Sequence, residues 1–163
     1  MMAEERVVVL ADVQNIYYTA RQAYGCHVNY KQLWDRVTAN RQVVAAFAYA
    51  IDRQDEKQSR FQQILRDIGF EVKLKPFIQR ADGSAKGDWD VGITIDAIEF
   101  ARGADIVVLA SGDGDFAILV EKLCADYAVE VEVFGVPQAT ASSLMNAASR
   151  FYPIENELLL KSE

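Results

Sequence analysis

The chain has 163 residues, half of them hydrophobic, and its 24 acidic and 17 basic side chains give a net charge of −7. This length supplies one sizeable core and is short for two ordinary domains, so a single domain over residues 1–163 is expected. The negative charge argues against a protein that coats nucleic acid through bulk positive charge. No apolar run approaches the roughly 20 residues that span a bilayer, and the first residues lack the pattern of a secretion signal. The sequence therefore predicts a globular, cytoplasmic protein with no membrane partner.

Predicted strands and helices alternate in the first half of the chain. An apolar run over residues 6–12 ends at Asp12 and is typical of a strand covered on both faces. The predicted elements that follow are a helix over 14–24, a helix over 29–39 capped by Asn29, a strand over 42–51, a helix over 55–70 with Gly69 at its end, and an alternating strand over 71–77 near the sheet edge.

The alternation continues after the longest irregular connection, residues 78–87. The predicted elements are a helix over 88–103, a strand over 105–111, a helix over 115–127, a strand over 129–136, a short helix around 139–148, and an edge strand or packed tail over 150–160. This order predicts an α/β fold, a single-domain parallel doubly wound sheet flanked by helices on both faces. In such sheets ligands bind beyond the carboxyl ends of the strands, and the first strand is expected to be central.

Acidic residues fall where the predicted elements meet one rim of this sheet. Asp12 ends the first strand, Asp113 follows a later one, and Asp88 and Asp90 open a helix whose start should lie on the same rim. Such a cluster is costly, because unit charges about 4 Å apart repel by several kcal/mol at an effective dielectric near 20. Mg²⁺ or Mn²⁺ would compensate this charge, and such an ion can support phosphodiester hydrolysis without a histidine. This matters because His27 is the only histidine in the chain.

Several of these residues also have a purely structural interpretation. Asp at a helix start, such as Asp113 or Asp115 in the segment "SGDGDF", is commonly a cap. Asn15 is either a helix cap or a partner of Asp12 and a bound phosphate. Tyr17 and Tyr18 either stack on bases or belong to the core.

Three basic residues, Lys86, Arg53 and Arg80, lie on segments expected near the rim. They are either phosphate contacts or solvated surface charges. Asp96 follows Asp90 by six residues, about 240° around a regular helix, so it is expected to support the site or the scaffold rather than share its face.

Three segments in this order, "VVVLADVQNIYY", "KGDWDVGITIDAIEFA" and "VVLASGDGDFAILVEKL", resemble the NYN family of PIN-like nucleases and especially its bacterial LabA-like branch. The similarity extends over residues 6–154 and leaves 155–163 as a tail. It implies a parallel α/β sandwich in which acidic residues bind Mg²⁺ or Mn²⁺ for RNA cleavage.

The resemblance also implies roles for individual residues. Asp12 matches the acid that ends the family's first strand, Asp90 the acid of its "KG.DV"-type helix start, and Asp113 and Asp115 the pair in its "SGDGDF"-type turn. The predicted catalytic and metal-binding residues are Asp12, Asp90, Asp113 and Asp115, and the predicted substrate-binding residues are Asn15, Lys86, Ser111 and Arg53. Two positions depart from the family pattern: Val13 stands where many relatives have glycine, and Asp88 adds an acid before Asp90.

These observations favour a metal-dependent endoribonuclease acting on single-stranded or structured RNA. The alternative is a catalytically silent PIN-like module that binds RNA or a protein partner, although a pure RNA binder would gain affinity by losing the acids. A phosphatase that uses Asp12 as nucleophile is disfavoured, because Gln14 stands where its partner aspartate is expected. The sequence leaves the oligomeric state open, and a homodimer is one of the options.

Overall fold

Strands and helices alternate along the chain in the computed structural model, which describes residues 4–76, 78–79, 85–86 and 88–160, with side chains for 4–75 and 88–160. The helices are α1 (Val13–Tyr24), α2 (Tyr30–Thr38), α3 (Glu56–Ile68), α4 (Asp90–Ala101), α5 (Ala117–Tyr127) and α6 (Ser142–Ala147). The strands are β1 (Glu5–Asp12), β2 (His27–Val28), β3 (Arg41–Asp52), β4 (Glu71–Pro76), β5 (Ile78–Gln79), β6 (Ala85–Lys86), β7 (Ile106–Ala110), β8 (Glu130–Gly135), β9 (Arg150–Pro153) and β10 (Leu159–Leu160). Within the described ranges, no helix is both long and apolar enough to cross a membrane.

Six of these strands form one parallel sheet in the order β4-β3-β1-β7-β8-β9. The chain leaves β1 toward β3 and β4, then returns to β7 on the other side of β1. The strand order therefore reverses between β1 and β7, and the carboxyl ends of these two strands border the crevice where such sheets bind ligands. The predicted α/β fold, the interior position of β1 and the edge position of β4 are confirmed.

The side chains of β1 alternate between the two faces of the sheet, and both faces are buried. Val7 and Val9 pack with α1, α2 and α3 on one face, while Val8 and Leu10 pack with α4, α5 and α6 on the other. All four side chains are fully buried. This double burial explains why the strand reads as a continuous apolar run rather than an alternating one.

Local signals in the sequence set the ends of two helices as predicted. The side chain of Asn29 accepts a hydrogen bond of 3.1 Å from the backbone N–H of Gln32, which caps α2. Gly69 follows α3 with a φ of 142°, and its N–H donates to the carbonyl of Leu65. The C-terminal segment supplies edge strand β9, one of the two alternatives expected for it.

Asp96 anchors α4 to the sheet. Its Oδ2 atom accepts hydrogen bonds from the Tyr49 hydroxyl at 2.8 Å and from Lys73 Nζ at 2.7 Å. Lys73 Nζ also lies 4.2 Å from the centre of the Phe47 ring. Burial and the hydrogen bond to Asp96 raise the pKa of Tyr49 above its ordinary value, so its hydroxyl stays a donor. Asp96 thus fixes the helix whose first residue is Asp90.

Replacing Asp96 by Asn should lower the free energy of unfolding by about 2 kcal/mol, because the charge-assisted bond from the partly buried Lys73 ammonium is lost. Urea unfolding measures this change. The matched control is Asp126→Asn, which breaks an exposed i,i+4 pair with Lys122. The control should cost less than about 0.5 kcal/mol. Equal losses in the two variants would contradict the anchoring role of Asp96.

Candidate metal centre

A cleft of about 390 Å³ lies at the carboxyl edge of the sheet, at the reversal between β1 and β7. Its walls come from the end of β1, the first turns of α1, the start of α4 and the turn after β7. The lining residues are Asp12, Gln14, Asn15, Tyr18, Thr19, Asp88, Asp90 and Asp113. The structure therefore brings together acids that are up to about a hundred residues apart in the sequence.

Three carboxylates can share one ion. Asp90, Asp113 and Asp115 each offer an oxygen atom, and the three oxygens all lie within 4.8 Å of one another. Two ligands of the same Mg²⁺ ion are at most about 4.2 Å apart, twice the metal–oxygen distance, so small side-chain movements suffice. Oxygen donors of this kind are those that Mg²⁺ and Mn²⁺ prefer. The three aspartates, called the carboxylate triad below, therefore fit a hard divalent cation.

The two acids before and at the start of α4 have different positions. Asp90 is partly buried and belongs to the carboxylate triad, whereas Asp88 is exposed and lies outside it. The Oδ1 atom of Asp88 accepts a hydrogen bond of 3.3 Å from the backbone N–H of Asp90. Of the two candidates, Asp90 has the geometry of a ligand, and Asp88 supplies charge at the cleft wall.

Asp12 stands beside the carboxylate triad rather than in it. Its side chain is 6% exposed, and its Oδ2 atom accepts a hydrogen bond of 2.9 Å from the Ser111 hydroxyl. Burial raises the pKa of Asp12 to about 6, and the charges of Asp113 and Asp88 act in the same direction, while the hydrogen bond from Ser111 opposes them. Among the described residues, the structure thus groups three of the four predicted ligands and leaves Asp12 as a buried neighbour.

The carboxyl groups of Asp90 and Asp113 lie close together in the cleft. Burial, a hydrogen bond between the two carboxyl groups and the charges of Asp113, Asp88 and Asp12 raise the pKa of Asp90 to about 7. A cation bound between the two carboxyl groups would relieve the like-charge repulsion that contributes to this raised pKa.

Hydrogen bonds tie the turn after β7 to α1. Ser111 is fully buried; its Oγ atom donates to Asp12 and accepts a 3.2 Å hydrogen bond from the N–H of Asp113. Ser111 was predicted to contact the substrate, but its side chain has no exposed surface that a substrate could reach. The Oδ1 atom of Asn15 accepts from the N–H of Gly112 at 2.9 Å, so Asn15 is not the cap of α1, and only its amide nitrogen is left for a phosphate.

Asp113 caps a turn and is also placed where it could hold an ion. Its Oδ1 atom accepts a 2.9 Å hydrogen bond from the N–H of Asp115, which caps the single 3₁₀ turn Gly114–Phe116. The same carboxylate belongs to the triad. Capping and ion binding are compatible here, because a carboxylate has several lone pairs.

The predicted basic contacts are only partly placed. The backbone of Lys86 pairs with Ile78 in the hairpin of β5 and β6, but its side chain lies outside the described part of the chain, as does Arg80. Arg53 directly follows β3 at the carboxyl edge of the sheet, and it is not among the described residues that line the cleft.

A lysine that was not predicted holds the segment in front of Asp90. Lys75 Nζ donates to the carbonyl of Asp88 at 2.9 Å and lies 4.5 Å from the centre of the Trp89 ring. The indole N–H of Trp89 donates to the carbonyl of Ala50 on β3 at 2.9 Å. The tryptophan between two acids in "GDWDV" is the sequence signal for this anchor, because a large apolar side chain there has to be buried against the sheet.

The parallel sheet and the acidic cleft at its reversal define a doubly wound α/β protein with a candidate metal centre. The sequence profile of the NYN domain matches residues 6–155, and the chain belongs to this family, whose members are in general nucleases. It is an NYN domain of the LabA-like kind. The low amplitude and bright protein LabA of Synechococcus elongatus is 28% identical over 160 residues, which cover 93% of this chain and 84% of LabA.

Solved structures share the fold of this chain. The crystal structure of VPA0982 from Vibrio parahaemolyticus superposes with a TM-score of 0.93 at 52% identity, covering 98% of this chain and 99% of that protein. Ribokinase from Giardia lamblia superposes with a TM-score of 0.51 at 13% identity, covering 93% of this chain and 57% of the ribokinase. The second likeness shows a common α/β fold only.

The stability of the metal-free protein should depend on pH through Asp90. Its pKa is about 7 in the folded state against 3.8 ordinarily, so folding takes up a proton between about pH 4 and 7 and stability is lost as pH rises through this window. Asp90→Asn should therefore gain stability relative to the wild type as pH rises, measured by urea unfolding in EDTA. Asp126→Asn, remote from the cleft, should show no such gain. A difference between wild type and Asp90→Asn that stays constant from pH 4 to 8 would contradict the coupling.

Gly112→Ala should destabilise the fold by about 1–3 kcal/mol, because a Cβ atom there would lie 2.7 Å from the carbonyl oxygen of Ala139. The control is Gly103→Ala, whose Cβ would have the carbonyl oxygen of Phe100, 3.9 Å away, as its nearest neighbour. The control should be neutral or slightly stabilising. Thermal unfolding of both variants tests the contact. A Gly112→Ala variant with the melting temperature of the wild type would show that this turn tolerates a side chain.

Proposed function

We propose that this protein is a divalent-metal-dependent endoribonuclease that hydrolyses RNA phosphodiester bonds. The observation that carries the proposal is the carboxylate triad beside buried Asp12, in a cleft at the reversal point of the sheet. Membership of the NYN family supports hydrolysis of nucleic acid as the activity. The retained acids favour catalysis over simple RNA binding, since they repel the phosphate backbone unless a cation intervenes.

Asp90, Asp113 and Asp115 are the residues that would hold Mg²⁺ or Mn²⁺. A cation bound there would polarise a phosphoryl oxygen and lower the pKa of a bound water. Asp12 adds a further carboxylate at the cleft wall, and its hydrogen bond with Ser111 fixes its orientation. Ser111 is accordingly a positioning residue rather than a substrate contact.

Phosphate contacts are assigned to three residues. The amide nitrogen of Asn15, which lines the cleft, is one of them. Lys86 and Arg53 belong to segments near the carboxyl edge of the sheet and would supply positive charge that the cleft lining lacks. Such contacts position an RNA backbone without reading its sequence.

The test is incubation of the protein with single-stranded and structured RNAs in Mn²⁺, in Mg²⁺ and in EDTA. Cleavage is expected with metal and not with EDTA. Asp90→Asn and Asp113→Asn should each reduce it at least about 100-fold, because even residues that only support a metal ligand cost 10–100-fold. Asp126→Asn is the charge-matched control outside the cleft and should retain full activity.

Metal binding is measured separately by thermal unfolding. Saturating Mg²⁺ should stabilise the wild type, by about 2.7 kcal/mol at a hundred times the dissociation constant, and should stabilise Asp113→Asn less. Without metal, Asp113→Asn should be more stable than the wild type, because Asn keeps the cap and removes a like charge. If Mg²⁺ stabilises the protein but no RNA is cleaved, the proposed nuclease activity is wrong. The protein would then be a metal-binding module without catalytic activity.

A further inference from the structure

Half of the cleft lining is uncharged and comes from one helix. Gln14, Asn15, Tyr18 and Thr19 lie on the first two turns of α1, whereas the other lining residues are aspartates. Residues at i, i+1, i+4 and i+5 form one continuous stripe on a helix surface. The cleft therefore has an acidic part, suited to a cation and phosphate, and a neutral part, called the α1 wall below.

Tyr18 is the aromatic residue of the α1 wall, and it is 51% exposed. A tyrosine normally buries its ring in a core or against a partner. Exposed at the rim of a cleft, it offers a flat apolar surface to whatever enters. Among the large hydrophobic side chains that the structure shows exposed, Tyr18 is the aromatic one, and the others are aliphatic.

The preceding residue, Tyr17, is already engaged and does not line the cleft. Its ring packs on His27 with 5.5 Å between ring centres, and its hydroxyl accepts a 2.9 Å hydrogen bond from Arg21. The rings of Tyr17 and Tyr18 meet edge to face, 5.8 Å apart. Of the two tyrosines considered for base stacking, only Tyr18 has a free surface at the cleft, and Tyr17 supports its ring from the side.

Gln14 adds a polar group to the same wall. Its Oε1 atom is buried and has no hydrogen-bond partner among the described residues. A buried acceptor without a donor destabilises the folded state. Because Gln14 lines the cleft and is only partly buried, rotation of its side chain would bring this acceptor to an N–H or amino group of a bound ligand. Each of the four RNA bases carries such a donor. The hydroxyl of Thr19, in contrast, is bonded to the carbonyl of Asn15 at 2.9 Å.

We infer that the α1 wall is a nucleobase subsite, in which the base next to the scissile phosphate stacks on Tyr18 and is bonded by the amide of Gln14. The inference rests on the proposed function, and it narrows the substrate to single-stranded RNA. A base inside a duplex already has neighbours stacked on both faces, whereas an unpaired base can leave its neighbours and stack on a protein ring. None of the four residues of the α1 wall is basic, so the wall has no positive charge with which to bind the phosphate backbone of a duplex.

The direct test uses adenosine, which contains the base without a phosphate, titrated into metal-free protein and followed by NMR. Adenosine is uncharged, so the aspartates do not repel it, and D-ribose is the ligand without a base. Adenosine should shift signals of residues 14–19 saturably, and D-ribose should not. Tyr18→Ala should weaken adenosine binding at least about fivefold, as expected for loss of one aromatic stack. Tyr18→Phe should stay within about twofold of wild type.

The control variant is Ile64→Ala on α3, whose side chain is 55% exposed and lies outside the cleft lining. It should bind adenosine as the wild type does. The inference is overturned if adenosine produces no saturable shift, if the shifts map away from α1, or if Tyr18→Ala binds as tightly as the wild type. A substrate arm compares a single-stranded RNA with the same strand in a duplex, in Mn²⁺. Preferential cleavage of the duplex would also overturn it.

The subsite and the nuclease can fail separately. Adenosine binding that depends on Tyr18, without cleavage of any RNA, would retain the base subsite and reject the hydrolase. Cleavage of single-stranded RNA with adenosine binding unaffected by Tyr18→Ala would retain the hydrolase and reject the subsite.

Discussion

Repulsion between carboxylates at the carboxyl ends of β1 and β7 is the constraint around which this protein is arranged. Asp12 is buried, Asp90 and Asp113 offer oxygens within 4.8 Å of each other, and the pKa values of Asp12 and Asp90 rise to about 6 and about 7. A fold selected for stability alone would avoid such a cluster, since each raised pKa is a native-state cost near neutral pH. A divalent cation bound among these carboxylates would relieve this cost.

The scaffold holds these charges in place with contacts that come from outside the cluster. Asp96 fixes α4 through Tyr49 and Lys73, and Lys75 fixes the segment that leads into Asp90. Around the turn after β7, buried Ser111 and the amide of Asn15 join the carboxyl ends of two strands. These contacts preorganise the site. Without them the carboxylates would be more mobile, and the conformational entropy lost in ordering them would weaken the binding of an ion.

The division of the cleft into an acidic part and the α1 wall bears on how a protein with a net charge of −7 would bind the proposed anionic substrate. The net charge supplies no bulk attraction to RNA, so under the proposed function affinity would come from a cation between carboxylates and phosphate and from stacking of a base. Both contacts are local, and the stacking contact would require an unpaired base.

The sequence by itself determined the alternation of strands and helices, the double burial of β1, the cap at Asn29 and the placement of acids after β1 and β7, because these follow from local periodicity and turn chemistry. The family resemblance added the identity of the acids. Only the tertiary structure decided that Asp90 rather than Asp88 joins the triad, that Asp12 stands beside it, that Ser111 is buried, and that Tyr18 rather than Tyr17 reaches the cleft. The contacts of Asp12 with Ser111 and of Asn15 with Gly112 join residues 99 and 97 positions apart. No local pattern encodes such contacts, because the direction of a side chain on a short turn is set by what packs against that turn from elsewhere in the chain.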